Sequence, residues 1–241
     1  MIIAGLDLSP TSSGLVKFFL NDSLEIIDVK KLGFVGYTVP KKKAPNIPNY
    51  KDIVAYDEEK YDFYNRTLMM TEHIFDFIKD VDYAVIEGYS YGSTASGHFT
   101  DISEFCSQVK FQLLRQGTKV RLVSPTQIKQ FATGKGNSEK PEMYDAFISK
   151  GYSEKLDIKD LPEIPVHKRG KNVGLRDKSG ISPLSDVIDS FHMCQLLYTE
   201  LLIRKGTKQL NDLAPIEKHV MTNTTKTNKI PLIKQEFLEK I

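Results

Sequence analysis

The chain has 241 residues, with 33 basic and 31 acidic side chains and a formal net charge of +2. Its 40% hydrophobic and 27% charged residues are ordinary for a globular protein, and the length predicts one domain with elaborations. Two cysteines, Cys106 and Cys194, are too few for a disulfide-rich secreted scaffold, and the sequence predicts no membrane span or signal peptide. We therefore expect a cytoplasmic protein without a membrane partner. The near-neutral total charge gives no indication of nucleic-acid binding.

The first third of the chain predicts three strands joined by tight turns. Met1–Leu6 is a short apolar run, Gly14–Leu20 is rich in β-branched and aromatic residues, and Leu24–Leu32 is typical of a third strand. Such a series favours an antiparallel meander. Residues 36–59 contain three prolines and a lysine triplet, and they predict a long surface insertion.

The rest of the chain alternates between helices and strands. Helices are predicted at Lys60–Lys79, Ile102–Gln116, Pro125–Phe131, Lys140–Lys150 and Ser185–Arg204, and strands at Val81–Glu87 and Lys119–Val123. This order predicts an α/β fold of the ribonuclease H-like type, with a mixed five-stranded sheet (an antiparallel meander plus parallel strands) flanked by helices. We expect the domain to span residues 1–204, with insertions at 36–59 and 152–183. Residues 205–241 predict a polar C-terminal extension with a weak helical pattern near Ile230–Leu238.

Four acidic residues fall where this topology would bring them together. Asp7 follows the first strand, Glu87 ends a later strand, and Asp186 and Asp189 are one turn apart at the start of the last long helix. An acid at the end of a buried strand is unfavourable unless it is paired or binds a cation. Oxygen ligands of this kind suit Mg²⁺ rather than zinc, and two such ions can promote phosphodiester hydrolysis.

Each carboxylate also has an interpretation that needs no metal. Asp7 is also suited to cap the turn that follows it, and Glu87 is an ordinary acid if its strand end faces solvent. The helix dipole alone favours carboxylates in a first turn, which applies to Asp186 and Asp189.

Basic residues concentrate in two stretches that the total charge conceals. The segment from Lys110 to Lys140 carries a net charge of +6, and residues 167–180 carry +4. Local excess of this kind is what binding to a phosphate backbone requires. The basic residues of the two stretches are Lys110, Arg115, Lys119, Arg121, Lys129, Lys135 and Lys140, followed by Lys168, Arg169, Lys171, Arg176 and Lys178.

Four short motifs occur in a recognisable order. Residues 128–140, IKQFATGKGNSEK, resemble the VKxxVTGxGxAxK segment of RuvC-type Holliday junction resolvases. GLDLS at residues 5–9, with Ser13-Gly14, resembles the opening GIDPG…TG motif of that family. AVIE, ending at Glu87, is similar to its AIE strand end, and DVID at residues 186–189 resembles its DAxD helix.

This resemblance implies a homodimeric, Mg²⁺-dependent crossover junction endodeoxyribonuclease, with Mn²⁺ as a substitute ion and no nucleotide cofactor. Such an enzyme resolves four-way junctions and other branched DNA by paired nicks that leave 5′-phosphate ends. The resemblance further implies a catalytic set with two metal ions and two lysines at the scissile phosphate: Asp7, Glu87, Asp186 and Asp189, with Lys129 and Lys140.

The resemblance also bears on the dimer and on DNA contacts. Ile102–Gln116 matches the region that joins the protomers in the family, so its apolar residues either form that interface or pack on their own sheet: Ile102, Phe105, Val109 and Leu113. The family places an aromatic residue three positions after the strand-end acid. Ser90 stands there, and either flanking tyrosine is a candidate to stack on an unpaired base. The full expected DNA-binding set is Lys129, Lys135, Lys140, Tyr89, Tyr91, Lys168, Arg169 and Lys171.

Other assignments remain to be weighed. Another ribonuclease H-like nuclease, acting on RNA–DNA hybrids, flaps or replication debris, would share the carboxylates. An actin-like ATPase would need a second phosphate loop and about twice the length, and an inactive junction-binding protein would lack a carboxylate. His192 is either close to the metal site or, as we expect, a structural histidine. The insertions and the C-terminal extension resemble divergent viral, phage or organellar members, for which the host cytoplasm, an organelle or a virion factory is the expected compartment.

Overall fold

The computed structural model describes residues 1–37, 52–58, 60–88, 99–156, 164–166, 171, 173–176, 183–224 and 229–240. The strands in this part of the chain are β1 (Ile2–Asp7), β2 (Gly14–Leu20), β3 (Ile26–Tyr37), β4 (Ile53–Asp57), β5 (Tyr83–Glu87) and β6 (Lys119–Val123). The helices are α1 (Phe63–Ile78), α2 (Phe99–Arg115), α3 (Pro125–Thr133), α4 (Lys140–Ser149), α5 (Leu184–Arg204) and α6 (Pro215–Thr222).

The six strands form one mixed sheet in the order β4-β3-β2-β1-β5-β6. β2 pairs antiparallel with both of its neighbours, and the other pairings are parallel. Helices cover both faces, so the predicted α/β class with a mixed, ribonuclease H-like sheet is confirmed. Because β1 and β5 are adjacent and parallel, their carboxyl ends lie at the same edge of the sheet.

The predicted count of five strands is wrong, because Ile53–Asp57 forms β4 beside β3. This strand lies inside the stretch predicted as an insertion, where the prolines and lysines outweigh a five-residue apolar pattern. β4 is also an edge strand and only its last two residues are buried, so a clear alternation of buried and exposed positions is missing. β3 continues to Tyr37, beyond its predicted end at Leu32.

Two hydrophobic clusters lie on opposite faces of the sheet. One contains Phe18 of β2 and Phe191 of α5, and the other contains Ile74 of α1 and Phe105 of α2. The second cluster shows that the candidate interface residues of α2 pack on their own sheet rather than forming a dimer interface. Ile102 packs against this cluster, and the other three candidate interface residues of α2 are fully buried in it: Phe105, Val109 and Leu113.

The C-terminal residues pack on the domain more extensively than their polar composition indicates. Helix α6 was not predicted, and it contributes Val220 and Met221 to the core. Leu238 forms a bridge with Val120 at the outer edge of β6, with N···O distances of 2.7 and 2.8 Å. Among the described helices, none has both the length and the apolar character needed to cross a membrane.

Candidate metal centre

Three carboxylates meet where β1 ends and α5 begins. One oxygen from each of Asp7, Asp186 and Asp189 lies within 4.8 Å of the other two. Asp7 is the last residue of β1, and the other two occupy the first turns of α5. The sequence prediction that these three acids converge is therefore correct in geometry.

Glu87 stands at the neighbouring strand end and lies outside the group of three. It is the last residue of β5, at the same edge of the sheet as Asp7. Its charge nevertheless acts on the cluster, since it raises the pKa of Asp7, and Asp189 raises the pKa of Glu87. The fourth predicted acid thus borders the cluster.

Two glycines allow α5 to lie against the sheet at this point. A Cβ atom at Gly5 would lie 2.1 Å from the carbonyl oxygen of Ser190, and one at Gly14 would lie 2.2 Å from that of Asp186. Real Cβ contacts essentially never fall below 3.0 Å, so a side chain at either position would displace the helix. The absence of a side chain at Gly5 and Gly14 brings α5 within reach of Asp7.

Lys140 and Ser12 hold the Asp186 carboxylate from two sides. The Nζ of Lys140, the first residue of α4, donates to Asp186 Oδ1 and lies 3.5 Å from Asp189 Oδ2. The Ser12 hydroxyl donates to Asp186 Oδ2. Lys140 is therefore at the cluster, as predicted, whereas Ser12 was not predicted because the short β1–β2 turn offers several similar hydroxyls.

Burial and mutual repulsion raise the pKa values of the acids. Burial, and then the charges of Asp186 and Asp189, raise the pKa of Asp7 well above its usual value. Burial and Asp189 raise the pKa of Glu87 to about 7. Burial also raises the pKa of Asp189 to about 6, although Lys140 opposes this shift. Burial alone would lower the pKa of Lys140, but the three carboxylates raise it above its usual value.

The donors at this cluster fit a hard divalent cation. All three converging groups are carboxylates, which is the ligand type that Mg²⁺ and Mn²⁺ prefer. Among the residues that the structure describes, the buried Oδ1 of Asp189 has no hydrogen-bond partner, so it is free to bind a cation. A cation would also relieve the repulsion that raises the pKa values of these acids.

Only some of the predicted DNA-binding residues lie in the part of the chain that the structure describes. Lys129 of α3 acts electrostatically on Glu87 and Asp189, and Lys135 is exposed on the turn between α3 and α4. Lys171 is exposed, and four of the predicted DNA-binding residues lie outside the described residues: Tyr89, Tyr91, Lys168 and Arg169.

Arg121 corrects the charge argument for the Lys110–Lys140 segment. This arginine is 2% exposed, and its Nε donates to Glu200 Oε2 at 3.0 Å. Lys119 pairs with Glu239 at 3.4 Å. Arg121 therefore adds nothing to a basic surface, and the charge of Lys119 is paired.

His192 is a structural histidine, as expected. It is buried, its Nε2 lies 3.1 Å from the Met143 carbonyl oxygen, and its ring packs against Phe147 and Tyr152. Burial lowers its pKa to about 4. Both cysteines, Cys106 and Cys194, are buried free thiols.

The sheet order and the acidic cluster define an α/β domain of ribonuclease H-like topology with a candidate metal centre. A scan against protein-family models and a search of curated proteins gave no match. Among solved structures, the chain is similar to RuvC of Thermus thermophilus, with 17% identity over 86% of this chain and 98% of that one and a TM-score of 0.47. It is also similar to the Fowlpox virus resolvase in complex with Holliday junction DNA, with 18% identity, 84% and 99% coverage, and a TM-score of 0.46. The fold class itself rests on the sheet order.

Proposed function

We propose that this protein is a Mg²⁺-dependent, structure-selective endonuclease that resolves four-way junctions and other branched DNA by paired nicks. The observation that carries the proposal is the group of Asp7, Asp186 and Asp189 within 4.8 Å, bordered by Glu87 on the adjacent parallel strand. The four resolvase-like motifs support the choice of branched DNA: two of them contain the three acids of the cluster, a third ends in Glu87, and the fourth contains Lys129 and Lys140.

The cluster has the residues to hold the ions that such a reaction needs. Asp7, Asp186 and Asp189 would bind Mg²⁺ directly, and Glu87 would complete the site from β5. Bound Mg²⁺ would supply an activated water and stabilise the leaving oxygen of a phosphodiester. The protein contributes fixed oxygen ligands at a rigid edge, where two strand ends and a helix start meet.

Two lysines are suited to hold the substrate at this centre. Lys140 already contacts two of the carboxylates, so its ammonium would lie beside a phosphate that approaches the cluster. There it would stabilise negative charge on the scissile phosphate. Lys129, which acts on Glu87 and Asp189 from α3, would hold the neighbouring backbone. Lys135 and Lys171 would contact the phosphates of the junction arms, which position the substrate without specifying its sequence.

A homodimer follows from the proposed reaction, because paired nicks in opposed strands need two centres. The inner residues of α2 are buried in the core, but other α2 side chains are exposed and available for such an interface. Phe111 is 55% exposed, and it borders an apolar groove of about 280 Å³ with Leu114, Arg115 and Lys240.

The deciding experiment is a cleavage assay on four substrates of matched sequence: a mobile four-way junction, a flap, an RNA–DNA hybrid and a linear duplex. Each is incubated with Mg²⁺ and with Mn²⁺, and an Asp7→Asn variant serves as the control for contaminating nucleases. We expect symmetric nicks in the junction and little cutting of the duplex. Preferential cutting of the hybrid or the flap would instead assign the centre to another ribonuclease H-like nuclease.

A further inference from the structure

We infer that Ser190 is a positioning residue that holds Asp7 against helix α5, an inference that rests on the metal-dependent function proposed above. The Ser190 hydroxyl accepts a hydrogen bond from the backbone N–H of Asp7 at 2.9 Å and donates one to the carbonyl of Gly14 at 2.5 Å. The side chain is fully buried. One hydroxyl thus links the end of β1, the start of β2 and α5.

The Ser190 hydroxyl contacts the last residue pair of the β1–β2 ladder. Asp7 and Gly14 are opposite each other in the β1–β2 register, at the last pair of the ladder. Hydrogen-bonded pairs alternate along an antiparallel ladder, and Met1 and Leu20 form such a pair at its other end. By that alternation, Asp7 and Gly14 turn their hydrogen-bonding groups toward each other. Ser190 links these groups, so the final pair of the ladder is tied to the helix.

Ser190 also directly follows Asp189 in sequence, so the same residue fixes both sides of the cluster. The backbone of Ser190 lies so close to β1 that a Cβ at Gly5 would be 2.1 Å from its carbonyl oxygen. The helix therefore touches β1 through the backbone of Ser190 and binds the end of β1 through its side chain. The distance between the Asp7 and Asp189 carboxylates depends on both contacts.

Removing the hydroxyl would break the two hydrogen bonds that tie the Asp7 N–H and the Gly14 carbonyl to α5. The Asp7–Gly14 pair would then keep only its ladder contacts, and the end of β1 would no longer be fixed to the helix. Groups that orient a metal ligand without touching the metal typically change affinity by about 10- to 100-fold when they are mutated. We expect a loss in this range for Mn²⁺ binding to Ser190→Ala, with all four acids still present.

The test measures binding of Mn²⁺ alone, without DNA, by calorimetry and by electron paramagnetic resonance. The control is Thr71→Val, because Thr71 is also a buried hydroxyl: it donates to the Thr67 carbonyl at 2.8 Å, on the opposite face of the sheet. We expect Thr71→Val to lower the melting temperature while its Mn²⁺ affinity matches the wild type. If Ser190→Ala does not fold, Ser190→Cys keeps a weakly hydrogen-bonding group there and should show an intermediate affinity.

Two failures remain distinguishable in this design. If the wild type binds Mn²⁺ and Ser190→Ala binds it equally well, the positioning role is wrong and the metal centre stands. If a folded wild type binds no Mn²⁺, the metal centre of the proposed function is wrong, and the role of Ser190 falls with it.

Discussion

Gly14 and Asp186 touch through their backbones: a Cβ atom at Gly14 would lie 2.2 Å from the Asp186 carbonyl oxygen and 2.4 Å from the Val187 nitrogen. This contact sets the first turn of α5 directly on the start of β2. Asp186 and Asp189 therefore lie next to Asp7 because one position in β2 has no side chain. The site depends on a packing contact as much as on its charged groups.

Substitution of Gly14 by Ala should disrupt both stability and the acidic cluster. The added methyl group would push against helix backbone, which cannot rotate away, so we expect a loss of about 1–3 kcal/mol in the free energy of unfolding. Mn²⁺ affinity should fall with it, because the two aspartates of α5 move away from Asp7. Thermal melts and Mn²⁺ titration measure both effects. Gly88→Ala is the matched control, since its Cβ would meet nothing closer than the Val123 carbonyl at 3.7 Å.

Asp7→Asn should abolish cutting while DNA binding remains. The substitution preserves size but removes the charge that a divalent cation needs from the end of β1, so we expect the cleavage rate to fall by at least about 100-fold, the upper range for indirect partners of a metal ligand. Gel shifts on a four-way junction should remain within a few-fold of the wild type. Asp76→Asn is the control, because Asp76 is an exposed acid paired with Lys79 away from the cluster. Cleavage by Asp7→Asn at the wild-type rate would contradict the assignment.

Glu87→Gln tests whether Glu87, which borders the cluster, is a metal ligand or acts only through its charge. Glu87 lies outside the 4.8 Å group, and it is coupled to the cluster through Asp189 and Asp7. If it is a metal ligand, Gln should lower both the cleavage rate and Mn²⁺ affinity, as Asp7→Asn does. If it acts only through its charge, a lower rate should be accompanied by nearly unchanged Mn²⁺ affinity.

Much of the fold could be predicted from the sequence because its elements are locally distinct. Gly14–Leu20 and Lys119–Val123 form strands with the predicted bounds, since each is a short segment with several β-branched or other apolar residues between turn residues. The convergence of the acids could be predicted because the same pattern places each of them at the end of a strand or the start of a helix. The edge strand Ile53–Asp57 was missed because its partial burial gives no clear period.

The remaining errors concern contacts that only the folded chain creates. Ser190 is one of many serines, and its role depends on Asp7 and Gly14 lying beside it from a distance of more than 170 residues along the chain. Arg121 was counted as part of a basic stretch, but its partner Glu200 is 79 residues away. Neither the Ser190 contacts nor the Arg121–Glu200 pair can be predicted from the charge of a segment or from its local hydrophobic pattern.

Mg²⁺ should stabilise the protein more at about pH 8 than at about pH 5. Burial and Asp189 raise the pKa of Glu87 from 4.5 to about 7, and burial raises that of Asp189 from 3.8 to about 6 despite Lys140. At a pH between the ordinary and the raised pKa of each acid, the folded metal-free protein holds protons that the unfolded chain has lost. Its free energy of unfolding therefore falls as pH rises. A divalent cation binds the deprotonated acids and reverses this loss.

Thermal melts with and without Mg²⁺ across this range test the linkage. The rise in melting temperature should be small near pH 5, where the cluster is protonated, and large near pH 8. Asp76→Asn should show the same pH dependence as the wild type, whereas Asp7→Asn should show a reduced effect of Mg²⁺ at the higher pH. An equal shift at both pH values in the wild type would contradict the assignment of these acids to the metal.

Lys135→Gln should remove one phosphate contact, and it should therefore both weaken DNA binding and lower the salt dependence of that binding. Lys135 is exposed on the turn between α3 and α4, where its N–H is 3.1 Å from Thr133 Oγ1 and Lys140 lies at the start of the next helix. Loss of one phosphate contact should reduce the slope of log K against log salt by about 0.9 for a duplex arm. Lys79→Gln is the control: Lys79 is also exposed, but it follows α1 near the start of β5, at the opposite edge of the sheet from Asp7. Junction binding, measured in an Asp7→Asn background to prevent cutting, should show a lower slope for Lys135→Gln and an unchanged slope for Lys79→Gln. Equal slopes for both variants would remove this turn from the DNA-binding surface.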